Sequence, residues 1–181
     1  MDGRLSDLFD SYEDKLYRLA RRLSSNAEDA HDLVQETFLR AAQSLKSIPA
    51  GPEAYAWLVR VLINIRRDQW RKRKVRARAA AIIGRPNDTM TATAESALIA
   101  KQAVWSALDA LAPRRRGIVV LSEIDGMSAQ EIARLLGLAL MTVRWHLSMA
   151  RRELKKTLAE HLGEHHENTV GSAPRRRSVA R

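Results

Sequence analysis

Apolar residues recur at intervals of three and four along most of this chain, which is the period of an amphipathic helix. The pattern runs from Leu5 to about Leu162 with one interruption, and it lacks the sustained alternation of apolar and polar positions that strands require. Only 8 of the 181 residues are glycine, so few positions weaken a helix. The pattern therefore predicts an all-α fold of two small helical domains joined by a flexible linker, the second containing a helix-turn-helix.

The first predicted domain covers residues 1–78 and contains three helices. The apolar spacing predicts one helix before Asn26, which can cap a second helix that runs to a loop at residues 46–53. This loop contains two prolines and a glycine, so the third helix begins near Glu53. The inward face of the third helix is predicted to consist of Ala54, Trp57, Leu58, Val61 and Ile65.

The apolar period is lost after residue 78 and resumes near Ala94. We therefore predict a linker over residues 79–93 and a second domain over residues 94–162. Residues 163–181 are rich in arginine and small polar residues and have no apolar period, so a disordered basic tail is expected there.

A helix-turn-helix is predicted within the second domain, at residues 126–151. Ser128 and Glu131 have the spacing of a capping box, and Gly137 stands where the first helix must stop. Apolar residues then recur at helical spacing from Val143, which leaves an outward face on the second helix. Such a helix can lie in the major groove of DNA, whereas a plain helical hairpin is the alternative. The outward residues are Thr142, Arg144, Trp145, His146 and Arg151.

The formal net charge of +10 is concentrated rather than spread evenly. Residues 60–78 contain nine basic side chains and one acidic side chain, and such a block indicates a polyanionic partner, most often nucleic acid. Trp70 interrupts this run, and basic groups with an interleaved aromatic ring suit single-stranded nucleic acid. A solvated basic helix end is the alternative. One stripe of the third helix carries Arg60, Asn64, Arg67 and Arg71.

The second helix has the opposite character, with an acidic and polar face. Glu28 and Asp29 lie in its first turn, where acidic side chains favour the helix dipole. That explanation does not extend to Asp32, Gln35 and Glu36, which lie further along the helix. The pattern therefore leaves part of this face available for a partner.

The residue types argue against an enzyme, a metal site or a cofactor. The sequence has no cysteine, no phosphate-binding glycine loop and no recognisable pair of nucleophile and base. His161, His165 and His166 could form a metal or pH-sensing cluster, but a solvated helix end is the preferred interpretation. No apolar stretch resembles a signal peptide or a membrane span, so a cytoplasmic protein is expected.

Three blocks of the sequence resemble bacterial RNA polymerase sigma factors. Residues 29–41 (DAHDLVQETFLRA) look like the most characteristic block of that family, and residues 56–64 (AWLVRVLIN) are similar to the segment that follows it. Residues 111–117 and the helix-turn-helix resemble the distal domain of the family. Two such domains with a short linker, over residues 5–158, resemble the extracytoplasmic-function (ECF) type.

The resemblance implies a non-enzymatic promoter-specificity subunit that serves a stress or envelope response. Its implied partners are core RNA polymerase, promoter DNA and an anti-sigma factor, and the free protein is expected to be a monomer. The β′ clamp helices of the polymerase would contact Asp29, Asp32, Leu33, Gln35 and Glu36. The melted minus-ten element would contact Lys46, Ser47, Arg60, Asn64, Arg67 and Arg71. The minus-thirty-five duplex would contact Thr142, Arg144, Trp145, His146 and Arg151.

The chain departs from the family pattern at its recognition helix. Ala139, Leu140 and Met141 stand where a small polar cap is usual, and Trp145 and His146 replace a usual serine–arginine pair. No minus-thirty-five sequence preference is therefore carried over. Two other functions remain open: a stand-alone helix-turn-helix regulator that binds duplex DNA without polymerase, and a sigma-like decoy that sequesters an anti-sigma factor.

Overall fold

The computed structural model describes residues 3–82 and 96–170, with side chains for residues 3–76 and 103–160. These residues form helices and contain no strand, which confirms the all-α prediction. No helix among them is long and apolar enough to cross a membrane. The α-helices of the described residues are α1 (Gly3–Leu23), α2 (Ala27–Gln43), α3 (Glu53–Ile82), α4 (Ser96–Ala110), α5 (Pro113–Val119), α6 (Ala129–Leu136) and α7 (Leu140–Val170).

Helices α1, α2 and α3 form the first bundle. Asn26 caps α2 as predicted, because its side-chain oxygen accepts a hydrogen bond of 2.7 Å from the backbone N–H of Asp29. At the C-terminal end of α1, the buried side chain of Arg66 donates a hydrogen bond from Nε to the carbonyl oxygen of Leu23 at 2.8 Å. This bond satisfies a carbonyl that the end of a helix leaves without a partner. The largest fully buried side chains of this bundle are Leu16, Leu23, Leu33, Leu58, Leu62, Val59 and Thr37.

Helix α3 is buried on two sides, which the sequence pattern did not predict. Trp57 and Val61 of the predicted inward face are only half-buried, whereas Val59 and Ile63 are buried. The reason is that α3 packs against α1 and α2 on one side and against α5 and α6 on the other. A prediction that assumes one buried stripe on an amphipathic helix therefore misassigns some of the buried residues of α3.

Helices α4 to α7 form the second bundle, whose predicted apolar positions are mostly buried. Ile118, Ile132, Val143 and Ala150 are each fully buried. Val104, which the spacing places inward, is exposed, because Ala103, Ala107 and Leu108 form the buried face of α4. A π-helical turn over Val120–Ile124 leads from α5 towards the helix-turn-helix.

The two bundles pack directly against each other. A Cβ atom placed on Gly117 would lie 3.1 Å from Cδ1 of Ile63, so the backbone of α5 approaches α3 closely. Beside this contact, the guanidinium of Arg116 is buried at the end of α1. Its Nε donates to the carbonyl oxygen of Arg22 at 2.8 Å, and its Nη1 is paired with Asp109. Packing and a buried cation therefore hold the bundles in a closed arrangement.

The helix ends differ from the predicted domain boundaries. Helix α3 continues to Ile82, because alanine and arginine between residues 76 and 82 are strong helix formers. Helix α7 continues to Val170, since Gly163 costs only about 1 kcal/mol inside a helix. Residues 163–170 are thus helical, which corrects the predicted start of the disordered tail. The rest of the predicted linker and tail, and the side chains of His161, His165 and His166, lie outside the described residues.

Candidate polymerase-docking groove and nucleic-acid interface

A groove of about 670 Å³ separates the exposed sides of α2 and α3. Asp32 and Gln35 are exposed at its edge, and Glu36 is half-buried beside them. Glu36 accepts a hydrogen bond of 2.9 Å from Nε of Arg40, one helical turn further along α2. The structure therefore brings three of the predicted polymerase-binding residues together. The groove is lined by Asp32, Gln35, Glu36, Leu39 and Arg40 of α2 and by Ile65, Asp68, Gln69 and Lys72 of α3.

Two of the predicted polymerase-binding residues have different surroundings. Leu33 is 0% exposed and belongs to the core of the first bundle, so its assignment as a polymerase contact was wrong. Asp29, the other of these two residues, is half-buried. Its carboxylate accepts a hydrogen bond of 3.1 Å from the guanidinium of Arg73, which ties α2 to α3. Leu39, which was not among the predicted contact residues, is 54% exposed and lines the groove. The sequence does indicate that Leu39 is exposed, because this residue lies outside the apolar stripe of α2.

The first half of the basic stripe on α3 lies under the second bundle. Arg60 and Asn64 are half-buried and line a cavity of about 70 Å³ together with Arg114 and Leu138. A Cβ atom on Gly137, in the turn of the helix-turn-helix, would lie 3.1 Å from Nη1 of Arg60. In this closed arrangement the two side chains are therefore partly covered by the bundle that contains the predicted minus-thirty-five residues.

The second half of the stripe is more accessible. Arg71 is exposed, and Arg67 is half-buried with its Nε 3.5 Å from Oδ1 of Asp68. Between them, Trp70 carries the ammonium group of Lys74 over its ring, 4.8 Å from the ring centroid. Lys46 and Ser47 are also exposed, on a short 3₁₀ turn that precedes the loop to α3. Three of the six predicted minus-ten residues, Lys46, Ser47 and Arg71, are thus exposed, and the other three are half-buried.

The helix-turn-helix has the local geometry that the sequence predicts. Ser128 Oγ accepts from the backbone N–H of Glu131 at 3.3 Å, and Glu131 accepts from the backbone N–H of Ser128 at 2.8 Å. This reciprocal pair confirms the capping box. Gly137 ends α6 with a φ of 64°, a left-handed conformation that favours glycine. Val143 and Leu147 then pack α7 onto the bundle.

The predicted minus-thirty-five residues differ in their exposure. Arg144, Trp145 and Arg151 are exposed, and Thr142 is half-buried. Arg151 is paired with Glu123 at 2.8 Å. The basic surface continues along α7 beyond the predicted set, because Arg152 and Lys155 help to line a groove of about 430 Å³.

His146 is turned partly towards the protein, so its prediction as an outward residue needs correction. Its Nδ1 is buried and has no hydrogen-bond partner among the described residues. Burial, followed by the charges of Arg115 and Arg114, lowers the pKa of this imidazole below its ordinary value. A neutral ring results at neutral pH, which is a poorer partner for phosphate than the usual arginine.

Both bundles match models of known protein families. The family model described as Sigma-70 region 2 matches residues 8–76, and the model described as Sigma-70, region 4 matches residues 101–154. The ECF RNA polymerase sigma factor SigM of Mycobacterium tuberculosis is 33% identical over 151 residues, which are 83% of this chain and 75% of SigM. This chain belongs to the ECF sigma factor family. The first bundle is therefore region 2 of a sigma factor, and the helix-turn-helix lies in region 4.

Two further proteins are similar to this sigma factor. The ECF RNA polymerase sigma factor SigE of Mycolicibacterium smegmatis is 38% identical over 168 residues, which are 87% of this chain and 63% of SigE. The sigma factor RpoE of Bartonella quintana was crystallised in complex with the anti-sigma factor NepR. Its structure matches with a TM-score of 0.57 and 29% identity, covering 80% of this chain and 90% of RpoE. The structural likeness thus extends over both bundles.

Proposed function

We propose that this sigma factor binds core RNA polymerase and directs initiation from a dedicated set of promoters, in a stress or envelope response. The observation that carries the proposal is the combination of the α2–α3 groove and the helix-turn-helix in one chain. A regulator that binds duplex DNA without polymerase needs the helix-turn-helix, but that function does not use the groove. The protein would act in the cytoplasm as a specificity subunit, not as an enzyme.

The α2–α3 groove is the proposed docking site for the β′ clamp helices of the polymerase. Asp32 and Glu36 supply carboxylates to the rim and Gln35 supplies an amide, whereas Leu39 supplies an exposed apolar group. An apolar centre within a polar rim is the usual composition of a protein–protein interface. Because Asp32 and Glu36 lie on one face of α2, both carboxylates can meet a basic partner at the same time.

The basic stripe on α3 and the 3₁₀ turn are the proposed minus-ten contacts. Arg71, Lys46 and Ser47 are exposed in the closed arrangement, whereas Arg60 and Asn64 of the same stripe are half-buried against the second bundle. Full use of the stripe therefore requires the two bundles to separate when the promoter is bound. The helix-turn-helix would then reach the minus-thirty-five duplex, with Arg144, Arg151 and Trp145 as its exposed contacts.

An anti-sigma factor is the proposed regulator of this protein. The complex of RpoE with NepR supports this, since RpoE has a similar fold over both bundles. A factor that stabilises the closed arrangement would keep Arg60 and Asn64 covered. Such a factor would shift the population only by the difference between its affinities for the closed and open forms.

Transcription with purified components tests the proposed function. Core polymerase with this sigma factor is expected to produce promoter-dependent transcripts from a library of genomic fragments, and core polymerase alone is not. Absence of such transcripts from every fragment would contradict the proposal. Protection of duplex DNA by the chain without polymerase would favour a stand-alone regulator. Binding of an anti-sigma factor without any transcription would favour a decoy.

Removal of single arginines from the accessible half of the stripe is expected to reduce the salt dependence of binding. Arg67→Ala and Arg71→Ala should each lower the slope of log affinity against log salt by about 0.7, the value for one phosphate contact on a single strand. The measurement is holoenzyme affinity for a fragment with a single-stranded minus-ten element, at several KCl concentrations. Arg21→Ala, which removes the same charge from the surface of α1, is the matched control. An unchanged slope in both stripe variants would exclude them as phosphate contacts.

A further inference from the structure

The exposed face at the start of α7 carries an apolar ledge formed by Met141 and Trp145. Met141 is 69% exposed and Trp145 is 53% exposed. The residues are four positions apart, so their side chains lie next to each other on one face of the helix. Large exposed apolar groups in close proximity indicate a binding surface more often than a single exposed residue does. This ledge therefore needs a partner that offers apolar surface.

The indole of Trp145 is held in place by its neighbours. The guanidinium of Arg115 lies over the ring, 5.4 Å from its centroid, and is itself paired with Glu153. The imidazole of His146 meets the indole edge-on, with ring centroids 4.9 Å apart and planes at 63°. A side chain supported in this way has lost much of its rotamer freedom before a partner binds, so binding costs little further ordering.

The charges beside the ledge indicate which partner it fits. Arg144, the chain neighbour of Trp145, lines a basic groove on α7 together with Arg152 and Lys155. Basic side chains beside an apolar ledge complement a surface that is negative along its rim and apolar at points on its floor. The major groove of duplex DNA has this arrangement, because phosphates line both rims and thymine methyl groups project from the floor.

Among the four bases, only thymine presents an apolar group in the major groove. We propose that Trp145, assisted by Met141, contacts the 5-methyl group of a thymine in the minus-thirty-five element and selects thymine at that position. This inference rests on the proposed function, because α7 must lie in the major groove of that element. It assigns base selection to a residue that stands where the family pattern has a small polar side chain.

Deoxyuridine substitution provides a direct test, because deoxyuridine differs from thymidine only by the missing methyl group. The experiment uses the holoenzyme and a duplex promoter recovered by transcription of genomic fragments. Each thymine of the minus-thirty-five element is replaced in turn by deoxyuridine, and promoter affinity is measured. At one position we expect affinity to fall about fourfold to tenfold, as for loss of a buried methyl contact.

Variants of Trp145 show whether this residue makes the contact. Trp145→Ala is expected to lower affinity for the thymine promoter by a similar factor and to abolish the deoxyuridine effect at the sensitive position. Trp145→Phe should retain part of that effect, because its ring is smaller but still apolar. Val104→Ala, which trims another exposed apolar residue of the second bundle, is the matched control and should keep the whole effect. Thermal unfolding by circular dichroism checks that each variant folds.

The possible results separate the inference from the proposed function. Normal transcription without a sensitive thymine, or from promoters that lack thymine in this element, would overturn the inference alone. So would a deoxyuridine effect that persists unchanged in Trp145→Ala. Weakened anti-sigma binding by Trp145→Ala with an intact deoxyuridine effect would make the ledge a protein-docking surface. Failure to obtain any promoter-dependent transcript would overturn the proposed function as well.

Discussion

The double substitution Asp32→Lys and Glu36→Lys is expected to weaken binding of core RNA polymerase about a hundredfold. Both positions lie on the rim of the α2–α3 groove, where Asp32 is exposed and Glu36 is half-buried. The substitution removes two acidic groups and places two cations against a surface that is proposed to be basic. Like charges brought together at an interface cost several kcal/mol, and a hundredfold loss of affinity corresponds to about 2.7 kcal/mol. The measurement is competition of each variant with labelled wild-type sigma factor for core polymerase.

A matched control for this prediction lies on α1. Asp10 and Asp14 are exposed and are also four residues apart, so Asp10→Lys with Asp14→Lys makes the same change in net charge. The control should bind core polymerase nearly as well as the wild type. The Glu36–Arg40 pair is partly exposed on one helix, so its loss should cost only about 0.3–0.5 kcal/mol and leave the bundle folded. Equal affinity of both double variants for core polymerase would show that the groove is not the docking site.

Replacement of Arg116 by alanine is expected to open the seam between the two bundles. Arg116 is 3% exposed and donates to the carbonyl oxygens of Arg22 and Ser24 while it is paired with Asp109. A buried carbonyl that loses its donor costs about 1–3 kcal/mol. The closed arrangement of Arg116→Ala should therefore become less favourable by about 3 kcal/mol, whereas the open form can hydrate these groups.

The opening can be measured as a distance between two labels. The chain contains no cysteine, so Gln43→Cys and Gln130→Cys would introduce unique sites for spin labels on the exposed surfaces of α2 and α6. The labelled wild type is expected to give one narrow distance distribution. Arg116→Ala should give a broader distribution shifted to longer distances. Arg152→Ala, an exposed arginine on α7, is the control for loss of one positive charge.

A second variant keeps the seam prediction testable should Arg116→Ala fail to fold. Gly117→Leu inserts a side chain towards Ile63, where even a Cβ atom has only 3.1 Å of space. Leucine also has a higher helix propensity than glycine, so α5 itself should remain helical. Unchanged distances in both variants would show that neither the Arg116 contacts nor the Gly117 approach holds the bundles together.

Several features of the candidate sites could be predicted because they depend on residues close together in the chain. The capping box of Ser128 and Glu131 and the left-handed turn at Gly137 confirm the predicted helix-turn-helix. The cap at Asn26 is another local interaction. The basic stripe on α3 also follows from helical spacing, although its minus-ten role stays a prediction.

Other features depended on parts of the chain that are far apart in sequence. Helical spacing could not show that Arg60 and Asn64 lie beneath the second bundle, because the covering residues are distant in sequence. The same limit applies to Arg116, whose carbonyl partner Arg22 is 94 residues away. The misassigned Leu33 illustrates a related error, since a family motif contains core residues as well as contact residues.

The local sequence pattern was thus sufficient to predict the helices, their caps, the all-α class and the charged faces of α2 and α3. Each of these depends on backbone geometry and on neighbours within one or two helical turns. Long-range packing was needed to establish which charged residues remain accessible and which are covered. It also showed that α3 is a shared core helix and that Arg115 supports Trp145. The physical reason is that burial depends on every surface that reaches a residue, and those surfaces come from distant segments.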